Sequence, residues 1–179
     1  MDANEILQEQ FLTFYLAADE YAVPVLRVKE ILEYQVVTRV PNTPFWVRGV
    51  FNLRGSVVPV IDLAVKLGLA EASITKTSCI IILEVVLKDE PLVIGVVVNS
   101  VSQVVDLTAA DVQPVPDFGV KVNTDYLRGI ANTGPRLTLL VDIDRIFSAE
   151  ELSHIGNTHA QASLEPATAH AAVAPGDAL

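Results

Sequence analysis

The chain writes one pattern twice. Val47 to Leu63, VRGVFNLRGSVVPVIDL, is echoed by Leu127 to Ile143, LRGIANTGPRLTLLVDI. Arg48, Gly49, Asn52 and Asp62 recur as Arg128, Gly129, Asn132 and Asp142, each at an offset of 80 residues (128 − 48, 142 − 62). A second match lies upstream: AVPVLRVKEI (22–31) lies on GVVVNSVSQV (95–104) at an offset of 73, which pairs Val25, Val28 and Ile31 with Val98, Val101 and Val104. The change from 73 to 80 puts seven extra residues into the second half, in or around DLTAADVQPVPDFG (106–119). Self-similarity at a fixed offset means that one structural unit is built twice. Only the first copy carries NLRG, Asn52 to Gly55; the second has NTGP.

Each unit reads as β structure. Short runs rich in Val, Ile, Phe and Thr predict strands at 11–16, 21–25, 36–40, 57–61, 78–86, 92–98, 120–122 and 137–141. AADE (17–20) and LKDEP (87–91) are polar breaks of hairpin length. Helical signals are few. Asn42-Thr43-Pro44 and Asn123-Thr124-Asp125 look like capped starts, the first with Pro at the first helical position. Asp62 suits a cap for a turn that stops at Gly68, and Ser148-Ala149-Glu150-Glu151 is a capping box. Beyond about Asn157 the chain is rich in Ala and Pro with little periodicity, and a mobile tail is expected. Short strands with frequent turns point to small barrels, so the residues themselves predict an all-β chain of two similar barrels in tandem.

With 51% hydrophobic and 19% charged residues, the chain can build a core without staples. The single cysteine, Cys79, permits no internal disulfide and fits a reducing compartment. The N-terminus has neither a basic nor an apolar signal region. Pro91 to Val105 is uncharged but too short and too polar for a spanning helix, and reads as a buried strand with its continuation. A net charge of −10 argues against nucleic acid as a partner. Nothing suggests an enzyme or a cofactor: His154, His159 and His170 fall in or near the tail, Cys79 opens an apolar strand, and no phosphate-binding glycine motif is present.

YAVPVLRVKEIL, VRGVFNLRGSVVPVIDLAVKLG and YLRGIANTGPRLTLLVDIDRI together resemble the CheW domain of bacterial chemotaxis coupling proteins, over about 10–152. The resemblance implies two tandem, intertwined five-stranded SH3-like barrels around a shared apolar seam, with short helical turns and a C-terminal helix or tail. The first barrel is expected at about 11–68 and the second at about 77–147, with a flexible tail at 153–179. The resemblance also implies a non-enzymatic adaptor without cofactors. Its partners would be the cytoplasmic tip of methyl-accepting chemoreceptors and the regulatory domain of a CheA-type histidine kinase. It would be a stand-alone, cytoplasmic protein recruited to membrane-associated receptor arrays, with no membrane insertion of its own. Alternatives are a coupling protein of a related surface-sensing or pilus-motility pathway and, ranked lower, a small-ligand-binding barrel.

The resemblance and the repeat together assign residues. Arg48 and Gly49, and Arg128 and Gly129, occur in both halves, so the fold explains them most economically: each Gly takes a positive φ or admits a close backbone approach. Asp62 and Asp142 read as helix caps. Arg54 and Gly55 occur once. A guanidinium in a Gly-bounded loop between apolar runs is expected to be exposed on a rigid frame, where binding function collects; the alternative is an internal ion pair with Glu30. Receptor contact is implied for Arg54, Gly55, Glu30, Val28 and Gly49, with core packing equally open for Val28. Kinase contact is implied for Phe118 and Gln113. Gln113 departs from a place where the family can carry a basic residue, and Asn99-Ser100 from one where Asp-Gly is common. Phe45 and Trp46 are expected to pack where the barrels meet.

Overall fold

The computed structural model describes residues 8–116, 124–148, 150, 151, 153 and 155. The strands are β1 (Glu9–Leu16), β2 (Asp19–Pro24), β3 (Val28–Glu33), β4 (Val47–Leu53), β5 (Ser56–Asp62), β6 (Cys79–Leu87), β7 (Glu90–Val98), β8 (Ser100–Leu107), β9 (Val112–Gln113), β10 (Leu127–Asn132) and β11 (Leu137–Val141). Two single-turn helices, α1 (Leu63–Lys66) and α2 (Ile143–Ile146), follow β5 and β11.

The strands form two mixed sheets, in the orders β3-β6-β7-β5-β4 and β8-β1-β2-β11-β10-β9. The halves exchange hairpins. The first hairpin, β1–β2, joins the sheet of β8–β11, while the second, β6–β7, joins β3–β5. Equivalent strands make equivalent pairings: β3 pairs β6 antiparallel as β8 pairs β1, and β5 pairs β7 parallel as β11 pairs β2. The sheets are therefore not the sequence segments 11–68 and 77–147. The barrels are intertwined through their hairpins.

This exchange explains three separate apolar clusters. Phe51, Val58, Val60, Ile80, Ile82 and Val97 fill the five-stranded barrel, and Phe11, Ala22, Leu107, Ala131 and Leu140 fill the six-stranded one. Between them lies a larger seam drawn from both sheets, including Leu12, Phe14, Ile81, Leu83, Val96 and Ile143. The run CIIILEVVL of β6 follows from this. Ile81, Leu83 and Val85 face the seam while Ile80 and Ile82 face the barrel, so both faces of the strand are buried. Ile155, which sequence placed in the tail, is buried in the seam. A capping box opens its helical turn: Glu151 N–H donates to Ser148 Oγ (3.1 Å) and Ser148 N–H to Glu151 Oε1 (3.0 Å).

Two expected elements differ. Residues 36–40 make a single bridge, Thr38 to Val50, and no strand. Asn42-Thr43-Pro44 opens a turn closed by Val47 N–H to the Pro44 carbonyl (2.9 Å), not a helix. Asn42 sits at φ 63°, outside helical geometry. The expected strand at 120–122 and the cap at Asn123 lie outside the described residues. The turn that follows repeats the first at the 80-residue offset, with Leu127 N–H donating to the Thr124 carbonyl (2.9 Å).

Candidate functional site

The repeated Arg-Gly is a β-bulge. In the β4–β5 register Val47 faces Ile61 and Gly49 faces Val60; in β10–β11, Leu127 faces Val141 and Gly129 faces Leu140. Arg48 and Arg128 are thus the extra residues, and a bulge bends its strand at that point. The glycines let a second segment cross. A Cβ on Gly49 would lie 2.1 Å from the Thr38 carbonyl oxygen, and Gly49 has φ +144°. A Cβ on Gly129 would lie 2.9 Å from the Gln113 carbonyl oxygen and 2.5 Å from Val112 Cγ1. Thr38 and Gln113 hold equivalent places, bridging Val50 and Ile130.

The repeated Asp residues cap their helices. Asp62 accepts from Val65 N–H (3.2 Å) and Asp142 from Asp144 N–H (3.2 Å). Asp62 does more. Almost fully buried, it also accepts from Arg48 Nη2 (3.1 Å) and from Ala72 N–H (3.2 Å). Arg128 turns instead to Glu9 and lies over the Phe11 ring, 5.3 Å from its centroid.

NLRG forms a two-residue hairpin tip. Leu53 pairs with Ser56, and Arg54 and Gly55 between them take φ 51° and 89°. Positive φ at both positions is the requirement of a type I′ turn, whose twist matches the strands. Asn52 Oδ1 locks it by accepting the Gly55 N–H at 2.8 Å. NTGP cannot repeat this, because Pro135 stands where Gly55 does: its φ is held near −65° and it has no N–H. The second tip accordingly opens into four residues between Asn132 and Leu137.

Arg54 reaches across to Glu30 on β3 in a bidentate pair, Nη1–Oε2 2.8 Å and Nη2–Oε1 2.5 Å. The Glu30 side chain is 26% exposed and that of Arg54 74%. The internal ion pair weighed as an alternative therefore forms, and it leaves the guanidinium open to solvent. An exposed pair of this kind contributes about 0.2–1 kcal/mol to stability; it mainly orients both groups. Of the residues assigned to receptor contact, the fold brings Arg54, Gly55 and Glu30 together. Val28, on the same strand as Glu30, is half-buried against the seam. Gly49 is buried beneath Thr38. Gln113 is exposed on β9, beside a hollow it shares with Glu9, Leu107 and Arg128. Phe118, His154, His159 and His170 lie outside the described residues.

Phe45 and Trp46 part company. Trp46 is buried, 5.4 Å from the Phe147 ring, with Lys66 Nζ 5.0 Å from its centroid. Phe45 is 85% exposed. The two are the central residues of the turn closed by Val47 N–H to the Pro44 carbonyl, and the turn carries Trp46 inward and Phe45 out to solvent. Cys79 is half-buried and burial pushes its thiol pKa up, away from the thiolate a nucleophile needs. No group of three or more His, Cys, Asp or Glu among the described residues is placed to hold a metal ion.

Two barrels locked through exchanged hairpins, with a pre-organised charged turn on the outside, define a double-barrel scaffold. Residues 10–151 match the model of the CheW-like domain. The chain is 41% identical over 155 residues to the chemotaxis protein CheW of Klebsiella aerogenes, covering 87% of this chain and 91% of that one. It is 30% identical over 150 residues to the chemotaxis protein CheW of Treponema pallidum, covering 84% and 88%. The crystal structure of the scaffolding protein TtCheW from Thermoanaerobacter tengcongensis superposes with a TM-score of 0.69 at 27% identity, covering 79% of this chain and 94% of that one. The chain belongs to the CheW-like family, the scaffolding adaptors of chemotaxis.

Proposed function

We propose that this chain couples the cytoplasmic tip of a methyl-accepting chemoreceptor to the regulatory domain of a CheA-type histidine kinase. The observation that carries the reading is the Arg54–Glu30 pair: present in one half only, fixed by a type I′ tip and a strand, and open to solvent. Rigid, exposed arginine on a scaffold is the residue type that interfaces favour. Arg54, Gly55 and Glu30 form the receptor contact. Val28 adds apolar surface beside it, and Gly49 acts indirectly by setting the bend of β4. Gln113 and Phe118 serve the kinase.

Coupling then works through geometry. Receptor conformations that meet the Arg54 turn differently are bound with different affinity, and that difference biases the kinase between its active and inactive states. The adaptor makes and breaks no covalent bond. It acts in the cytoplasm, recruited to receptor arrays at the membrane; no helix among the described residues is long and apolar enough to cross one. Titration with a receptor cytoplasmic fragment, with the kinase regulatory domain, and with both tests this. The expected result is binding to each and a ternary complex in sedimentation. Binding to neither, or mutual exclusion of the two, would overturn the reading.

A further inference from the structure

The Arg54 turn presents hydrogen-bond donors that nothing in the described chain uses. A guanidinium carries five N–H donors. Arg54 gives two of them to Glu30 and none to any other described residue, so three remain on a side chain that is 74% exposed. Asn52 Oδ1 is taken by the Gly55 N–H, and the two N–H donors of its exposed amide have no described acceptor. Ser56, exposed on the other side of the tip, has a hydroxyl without a described partner. Three side chains within residues 52–56 thus offer up to six donors.

The second tip builds no such face. Asn132 has Pro135 three residues on, which carries no N–H for its side chain to accept. Arg136 turns inward to the Ala18 carbonyl (3.1 Å), and the Thr133 hydroxyl is engaged with Thr138 (2.6 Å) and Glu20 (3.4 Å). The donors of that tip are used inside the molecule, whereas those of the first tip point to solvent.

The charge of Arg54, in contrast, is already matched by Glu30. Beside Glu30 on β3, Lys29 is paired with Glu84 at 2.8 Å, and Glu33 is exposed with no ion pair to a described residue. In a chain of net charge −10, a partner's carboxylate brought to this tip would sit against Glu30 and meet a like charge. Uncharged oxygen acceptors meet no such repulsion and still use every donor. An amide side chain brings one oxygen. The last turn of a helix brings four carbonyls without intrahelical partners, at an end that carries a partial negative charge.

We infer that the tip reads uncharged carbonyls, and that the receptor group it meets is the C-terminal end of a helix and not an acidic side chain. The inference rests on the receptor contact proposed above and names the chemistry of that contact. Glu30 then has two roles: it aims the guanidinium, and by cancelling its charge it turns a site for anions into a site for carbonyl oxygens. Asn52 adds donors to the same face while its oxygen holds the turn.

The test is titration of a receptor cytoplasmic fragment with wild type, Arg54→Lys, Arg54→Gln and Asn52→Asp, at about 50 and about 500 mM salt, a range over which exposed charges pass from weakly to strongly screened. Both positions are exposed, and thermal melts check that each variant is folded. Arg54→Lys keeps the charge but loses the planar fork. Asn52→Asp keeps an oxygen for the Gly55 N–H but loses both amide donors. Each of these two is expected to weaken receptor binding about fivefold or more and to leave kinase binding within twofold. The loss of affinity between the two salt concentrations should agree within twofold for wild type and Arg54→Gln, because Arg54 meets no full charge. A wild-type loss that exceeds that of Arg54→Gln by more than twofold would place a carboxylate opposite Arg54 and overturn the inference. Full affinity in Arg54→Lys or Asn52→Asp would overturn it as well. Receptor fragments whose exposed Asn and Gln side chains are replaced by Ala should bind undiminished; loss at any one of them would assign the donors to an amide side chain and overturn the helix-end assignment. Wild type that binds no receptor fragment at all refutes the coupling function itself, an outcome separate from these.

Discussion

The β4–β5 and β10–β11 tips start from the same frame and end differently. Both strands carry an Arg-Gly bulge, both lead to a capping Asp, and both adjoin a crossing segment. At the tip, Gly55 permits a tight two-residue turn that aims Arg54 at Glu30, while Pro135 forces a wider loop. That loop is tied inward: Arg136 Nη1 donates to the Ala18 carbonyl (3.1 Å), and Thr133 and Thr138 share a hydroxyl contact of 2.6 Å. What repeats is the frame. What differs is the surface it presents.

The largest test of this comparison concerns the glycines. Gly49→Ala should cost about 4 kcal/mol, since it adds a positive-φ penalty to a collision with backbone. Gly129→Ala should cost about 1–2 kcal/mol. One of its neighbours is a side chain and the other belongs to β9, a two-residue edge strand that can shift. Urea midpoints at constant slope check both; equal losses would break the asymmetry.

A smaller gap separates the two capping acids. Asp62→Ala leaves Arg48 without its buried partner and two N–H groups unmet, a loss of about 3–4 kcal/mol. Asp142→Ala removes one cap bond and a 3.5 Å contact with Arg145, about 1 kcal/mol. Comparable destabilisation would mean that the repeat positions do the same work.

The smallest effect concerns the C-terminal turn, which the second half lays across the first. Burial raises the Glu151 pKa, but hydrogen bonds from Lys66 and Ser148 and the Lys66 charge outweigh it and hold it below the ordinary glutamate value. A depressed folded-state pKa adds stability above the unfolded value, about 4.3, and that stability is lost as pH falls through the folded one. Acid should therefore loosen the hold on Glu151 and the buried Ile155, by less than about 1 kcal/mol given the partial exposure of the Lys66–Glu151 pair. Lys66→Met should weaken that pH dependence and leave the part supplied by the Ser148 hydrogen bonds, read by hydrogen exchange at Ile155.

Much of the frame was legible. The 80-residue offset located both bulge glycines and both capping acids, and the polar breaks at 17–20 and 87–91 became turns, with Ala17, Lys88 and Asp89 at positive φ. Strand β4 was hidden because Gly49 and the bulge interrupt its alternation, and β3 because charges occupy its outer face. The hairpin exchange was illegible from periodicity: β6 looks the same whether it pairs with its own half or with β3, and only the resemblance suggested intertwining. At the candidate site, Arg54 was singled out because NLRG lacks a second copy, and Glu30 because the resemblance implies receptor contact there and its counterpart Gln103 carries no charge. Phe45 was placed inside because an aromatic beside Pro and Trp gives no sign of which face it takes.

The most direct measurement is titration of a receptor cytoplasmic fragment with wild type, Arg54→Glu, and the charge-exchanged Arg54→Glu/Glu30→Arg, each first shown to be folded. If Arg54 contacts the receptor, Arg54→Glu should weaken receptor binding at least tenfold and leave kinase binding unchanged. The exchanged pair should fail to restore binding, because the ion pair returns but the outward charge is reversed. Receptor affinity unchanged in Arg54→Glu, or recovered in full by the exchange, would show that the pair is only structural and that the single-copy turn is not the receptor contact.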